Sequence, residues 1–219
     1  MSAKSPITRV KATESLDRQL RWVAALCSLV SLGSLVSQVL GILPMVYFLT
    51  FFGVPATLLL FALAAYAKWV DARVFVRAVI VGLVAGTLAV LAYDGVRLLM
   101  MKTYFQQFNS FKSHYYFGMW ITGQPMDSTA AAIAGWTYHY WNGLAIALFY
   151  VLTFGRRHWL WAVAWAMFLE ACMLGLFPMF LTVTNKFDFV ALSMVGHACY
   201  GVVLGLIAQK YALNWEDRA

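Results

Sequence analysis

WVAALCSLVSLGSLVSQVLGILPMVYFLTFFGVPATLLLFALAAYA, residues 22–67, runs for 46 positions without a charged side chain. A helix needs about 20 apolar residues to cross the roughly 30 Å hydrocarbon core of a bilayer. An uncharged run of this length predicts two crossings joined by a tight turn. Gly41–Pro44 is the turn signal nearest its middle, and Gly53–Pro55 is a second breaker. Further apolar blocks follow at 74–99, 130–153, 158–180 and 188–210, each long enough to span. Together with 22–43 and 45–67 they specify an all-α, polytopic integral membrane protein with six transmembrane helices. One transmembrane domain, 22–211, lies between a charged leader at 1–21 and a tail at 212–219. The runs are continuous, whereas a β-barrel shows short alternating segments.

Composition agrees with a lipid environment. The chain is 63% hydrophobic and 11% charged, against about 25% charged in soluble domains. Its net charge of +7 is explained by topology before nucleic acid. With the N-terminus in the cytoplasm, Lys4, Arg9, Lys11, Arg18 and Arg21 lie inside. So do Lys68, Arg73, Arg77, Arg156, Arg157, Lys210 and Arg218, which makes 12 of the 16 basic residues. Arg97, Lys102, Lys112 and Lys186 fall near the opposite face. This positive-inside bias places both termini in the cytoplasm, most simply of a bacterial inner membrane. The leader is long for a signal peptide, and the span after it lacks a small-x-small cleavage site, so it is expected to be retained. The expected partners are the bilayer and either a hydrophobic substrate or another membrane protein.

Small residues mark helix contacts. Gly82 and Gly86 form GxxxG in the third span, as Gly201 and Gly205 do in the sixth, a spacing that lets backbones approach in lipid. Cys27, Cys172 and Cys199 all fall within spans, without CxxC or CxxCH, and predict packing residues. The long connection at 100–129 is extracytoplasmic in this topology. Its Tyr104, Phe105, Phe108, Phe111 and Lys112 predict a helix lying in the interface. His114, Tyr115, Tyr116, Phe117 and Trp120 have the composition of an aromatic belt. The whole segment is either a headgroup anchor or a lid over a site below it. Asp127 or Ser128 is positioned to cap the fourth span.

The informative residues are polar ones inside the last four spans. The third carries Asp94 and Arg97, the fourth His139 and Asn142 within GWTYHYWNG (135–143), the fifth Glu170, and the sixth Ser193, His197 and Tyr200. Counting about 1.5 Å per residue from the outer span ends puts one ionisable group of each helix roughly 8 to 15 Å deep. A charged group at mid-span costs about 2.5–3.5 kcal/mol on insertion scales, so these groups should face inward and satisfy one another. Asp94 and Arg97 are i,i+3 and can pair locally. Glu170 has no polar neighbour on its own helix and needs a partner from another, for which His139 and His197 are the natural candidates.

Three functions follow from this layer. In the first, His139, Glu170 and His197 hold a transition metal (zinc or iron), or the two histidines ligate haem. Asp94 then assists redox chemistry on a lipid-soluble or envelope substrate, while Arg97, Asn142, Ser193 and Tyr200 orient the groups, or Arg97 and Asn142 hold an anionic headgroup. In the second, the same residues relay protons in a carrier of a small solute. In the third they are a hydrogen-bonded network in a structural or assembly subunit. Catalysis is therefore left open. No GxxxxGK[ST] or GxGxxG occurs, so no nucleotide is expected, and HExxH is absent. Gly196-His197 followed by Gly201 and Gly205 loosely resembles the last core span of the rhomboid intramembrane proteases. The GxSG serine motif of that family is missing here and its long outer loop lies elsewhere, so no protease activity is assigned.

Overall fold

The computed structural model describes residues 6–104, 109–182 and 186–214, with side chains from Ser15 onward. The described residues are mainly helical, without strands. The elements are α1 (Pro6–Val39), α2 (Met45–Phe48), a π-helical turn (Leu49–Gly53), α3 (Val54–Trp69), α4 (Arg73–Thr103), α5 (Lys112–Thr122), α6 (Thr129–Phe154), α7 (Leu160–Leu176), a 3-10 turn (Phe177–Met179) and α8 (Lys186–Tyr211).

From Pro6 onward the leader is helical and continuous with the first crossing, since α1 runs unbroken through residue 21. It ends where the sequence signals. The Gly41 N–H donates to Gln38 O and the Ile42 N–H to Ser37 O, with Gly41 left-handed at φ 68°. This is a Schellman ending, which favours glycine at that position. Pro44 then starts the next helix, and the Gln38 side chain accepts from the Met45 N–H. The second breaker does not end a helix. Pro55 has no N–H to offer the Phe51 carbonyl, and the chain absorbs this by widening into the π turn at Leu49–Gly53.

Five segments are long and apolar enough to cross a membrane: Ser15–Val39, Met45–Trp69, Arg73–Thr103, Leu160–Met179 and Lys186–Tyr211. The protein therefore has the make-up of a multi-pass integral membrane protein. Large apolar side chains such as Ile42, Phe61 and Trp69 face outward, as lipid solvation requires. α6 has 26 residues, the same length as α8, but carries the polar stretch GWTYHYWNG and is not among the five. Its position explains the difference, since α6 packs against α1, α4 and α5.

Glycines set how closely the helices pack. A Cβ on Gly82 or Gly86 would press on Leu148, Ala147 and Leu144 of α6, so α4 and α6 meet there. A Cβ on Gly201 or Gly205 would press on the backbone of α7 at Val163, Ala162 and Trp159. Hydrogen bonds tie together one end of the bundle. Phe75 N–H donates to Asp17, Arg77 Nε to Tyr211 O, Arg156 N–H to Leu213 O, and Trp159 N–H to the Gln209 side chain. The start of the α1 crossing, the α3–α4 and α6–α7 turns and the end of α8 thus share one face.

The 100–129 connection differs from expectation. α4 continues to Thr103, and the helix that follows is Lys112–Thr122, so Tyr104 and Phe111 lie outside it. Phe105 and Phe108 lie outside the described residues. α5 is not laid flat on a lipid surface alone, for it packs along α6. It stops at Gly123, left-handed at φ 69°. Ser128 caps α6, its Oγ accepting from the Ala131 N–H at 3.1 Å. Ser128→Ala is expected to destabilise the protein by about 1 kcal/mol in reversible unfolding.

Candidate functional site

Two imidazole–carboxylate pairs form between helices. On α4, Asp94 and Arg97 face inward and are nearly buried. Gly143 of α6 has no Cβ to meet Val90, so α6 closes on α4. His139, one turn earlier, then brings Nε2 to 3.1 and 3.0 Å from the two Asp94 oxygens. Both neighbours of Nε2 only accept, so Nε2 carries the hydrogen, and Nδ1 is the nitrogen left to gain or lose a proton.

On the other side, Gly201 and Gly205 draw α8 onto α7. Glu170, 1% exposed, receives a hydrogen bond from Ser193 Oγ at 2.8 Å on its Oε2. His197 Nδ1 lies 2.8 Å from the same oxygen and 3.0 Å from Ser193 O. These partners again only accept, so Nδ1 carries the hydrogen and Nε2 is the exchangeable nitrogen. The partner that Glu170 needs from another helix is His197.

Tyr93 separates the pairs. Its ring centroid is 5.0 Å from that of His197, edge-on, and 5.9 Å from that of His139. A Cβ on Gly196 would lie 2.8 Å from this ring, so a glycine on α8 makes room for it. Arg97 lies over the Tyr93 and Phe111 rings, 4.5 and 4.9 Å from their centroids. It donates through Nη2 to Ser110 O. Its Nη1 is 3.6 Å from Asp94, farther than the His139 bonds, so the local Asp94–Arg97 pair is the weaker of the two contacts made by Asp94.

A third histidine belongs to the site, although its sequence context marked only an aromatic belt. His114 stacks on His139 with centroids 4.0 Å apart and meets Trp136 edge-on. It reaches this depth because α5 and α6 touch backbone to backbone. A Cβ on Gly118 would fall 1.7 Å from Ala131 O, and one on Gly135 would fall 1.8 Å from His114 O. Burial holds the His114 imidazole well below the usual histidine range, with His139 and then Arg97 adding to it. The depressed value means that the unfolded chain takes up this proton first. Stability from His114 is complete above its ordinary value of 6.5 and is lost as pH falls below it. In SDS unfolding between about pH 8 and pH 5, the wild type should lose more stability than His114→Phe. Equal slopes would contradict the assignment.

A cavity of about 80 Å³ lies among these groups. Its polar wall comprises Tyr93, Arg97, Ser113, His114, His139, Asn142, His197 and Tyr200. Tyr200 O–H donates to Gly143 O at 2.7 Å. Asp94 and Glu170 are not on this wall; each stands behind the imidazole it holds. Buried atoms Asn142 Oδ1, Glu170 Oε1, His114 Nδ1 and Arg97 Nε and Nη1 have no hydrogen-bond partner among the described residues.

The arrangement brings together all eight residues singled out in the sequence, but not as a metal ligand set. Among the described residues, no three His, Cys, Asp or Glu side chains are grouped to hold one ion. His139 is engaged by Asp94, His197 by Glu170, and Tyr93 lies between. Haem does not fit between the histidines either, since a cavity near half the 150 Å³ that holds one benzene cannot admit a porphyrin. The cysteines are unpaired, and Cys172 is exposed. Comparison with protein-family models, curated proteins and solved structures finds no match for this chain.

Proposed function

We propose that the protein is a proton-coupled carrier of a small solute in a bacterial inner membrane, with six spans and both termini in the cytoplasm. The sixth span is α6, whose polar stretch faces other helices and whose length suffices at about 1.5 Å per residue. The orientation is supported by Lys68, Arg73, Arg77, Arg156 and Arg157, which all sit on the turns at one bundle end. The positive-inside rule assigns that end to the cytoplasm.

One observation carries the functional reading: two imidazole–carboxylate pairs, drawn from four helices, wall a single polar cavity. An isolated charge at this depth is costly. A histidine backed by a carboxylate can accept a proton because the product is a neutral ion pair, so each pair is a unit for taking up and releasing protons. Because each pair bridges two helices, protonation also changes the attraction between those helices, which is what coupling to a conformational change requires. A purely structural network explains the pairs. It does not explain a cavity lined by buried polar atoms without partners, which native interiors seldom contain. Metal redox chemistry has less support because no ligand set is gathered.

The test is proton entry into liposomes that hold a pH-sensitive dye, with nitrate, ammonium or glycine as the driven solute. Wild-type protein should accelerate entry with one of them. Asp94→Asn and Glu170→Gln should each lower that rate about 100-fold, the scale of a lost acid–base group. Rates equal to those of empty liposomes, or unchanged in both variants, would refute the proposal.

A further inference from the structure

We infer that the cavity takes a small monovalent oxyanion of three or four heavy atoms, held by Arg97. This deepens the carrier reading, on which its transport role rests. The first ground is the chemistry of the wall. Among the described residues, its ionisable groups are Arg97, His114, His139 and His197, together with the phenols of Tyr93 and Tyr200. No carboxylate lines it. The negative charges of the site, Asp94 on α4 and Glu170 on α7, lie behind His139 and His197 and are engaged by them. An occupant therefore meets one fixed cation and no carboxylate, beside imidazole nitrogens that donate to it once they are protonated.

The second ground is Arg97 itself. It is 5% exposed and its plane is fixed by the Tyr93 and Phe111 rings. One terminal nitrogen is committed to Ser110 O. Nε and Nη1 make no hydrogen bond, and the contact of Nη1 with Asp94 is a loose ion pair at 3.6 Å. Nε and Nη1 lie on different edges of the guanidinium, and each can donate one charge-assisted hydrogen bond to an oxyanion oxygen. Asn142, also on the wall, offers its amide NH₂ once the amide is oriented with nitrogen toward the cavity.

Size gives the third ground. A dry cavity of about 150 Å³ accommodates the six carbons of benzene. The present 80 Å³ is about half of that, which suits formate or nitrate and excludes sugars, amino acids with large side chains and nucleotides. A second, much smaller void shares Arg97, Ser113 and Phe177 with the cavity and continues toward Leu181 and Phe189. Arg97 thus lines both spaces.

Calorimetric titration of the purified full-length protein tests this with sodium nitrate, sodium formate, sodium sulfate and ammonium chloride. Nitrate and formate should bind, with ammonium not binding and sulfate at least about 10-fold weaker. Arg97→Gln should weaken nitrate about 10- to 100-fold, the scale of charge-assisted hydrogen bonds, and Arg97→Lys should weaken it less. Should Arg97→Gln fail to fold, Arg97→Lys and Asn142→Ala must each still reduce nitrate affinity. Ammonium binding in place of nitrate, or nitrate affinity unchanged in these variants, overturns the inference. The liposome assay separates it from the carrier reading. Nitrate binding with no proton entry driven by any of the three solutes would keep the inference and reject the carrier. Proton entry driven by ammonium or glycine, without nitrate binding, would do the reverse.

Discussion

Gly135→Ala is expected to destabilise the protein by about 3 kcal/mol despite adding a better helix former. The added Cβ would fall 1.8 Å from the His114 carbonyl oxygen and 2.7 Å from its carbon. Both are backbone atoms, so no rotamer change relieves the clash and α5 must move as a unit. Overpacking usually costs about 1–3 kcal/mol, and a backbone-against-backbone contact belongs at the upper end. The displaced α5 would carry His114 off His139 and open the cavity wall. Gly118→Ala should behave alike, since its Cβ would meet Ala131 O. Gly95→Ala and Gly175→Ala are the controls. Nothing lies within 4 Å of a Cβ at either position, so both should be neutral or stabilising by up to about 1 kcal/mol. The four variants are compared by SDS unfolding in mixed micelles. A Gly135→Ala protein as stable as Gly175→Ala would show that α5 is not docked on α6.

The second large effect separates stability from activity at Glu170. Glu170→Ala removes the acceptor shared by Ser193 Oγ and His197 Nδ1. Stranding a buried hydrogen-bonding group costs about 1–3 kcal/mol, and a charged one about 3–5. A loss of about 3 kcal/mol is expected, with a smaller loss for Glu170→Gln, whose amide oxygen still accepts. Glutamine does not titrate, so proton flux should collapse equally in both. If Glu170→Gln is folded and keeps wild-type flux, Glu170 only fastens α7 to α8. A flux loss matching the stability loss across the two variants would also favour that structural role.

The helical architecture is legible in the sequence because lipid imposes long apolar runs. The Gly41–Pro44 turn and the Ser128 cap are legible because their backbone requirements are local. Gly201 and Gly205 announced a close contact, and Glu170, isolated on an apolar helix, announced a partner elsewhere. The choice of partner was harder to see. Asp94 and Arg97 stand one turn apart and do pair, at 3.6 Å, yet Asp94 also turns both oxygens to His139 at closer range. That choice depends on helix rotation and on Gly143 meeting Val90, which spacing along one helix does not encode. His114 was hidden for a related reason. Its aromatic neighbours match an interfacial belt, and only Gly118 and Gly135 let α5 sink against α6. Tyr93 had no polar signature beyond its hydroxyl, although Gly196 on α8 is the missing side chain that gives its ring a place.

The claim at the centre of this account is that His139 with Asp94, and His197 with Glu170, act as two proton-exchanging units. Infrared difference spectra of the protein in lipid, recorded on acidification from about pH 9 to pH 4, spanning the ordinary carboxylate and histidine values, test it directly. Asp94→Asn should change the imidazole bands of His139 and leave those of His197 in place. Glu170→Gln should change those of His197 alone, with each histidine assigned by its own replacement. Spectra without imidazole or carboxyl signals, or unaltered by both variants, would contradict the account.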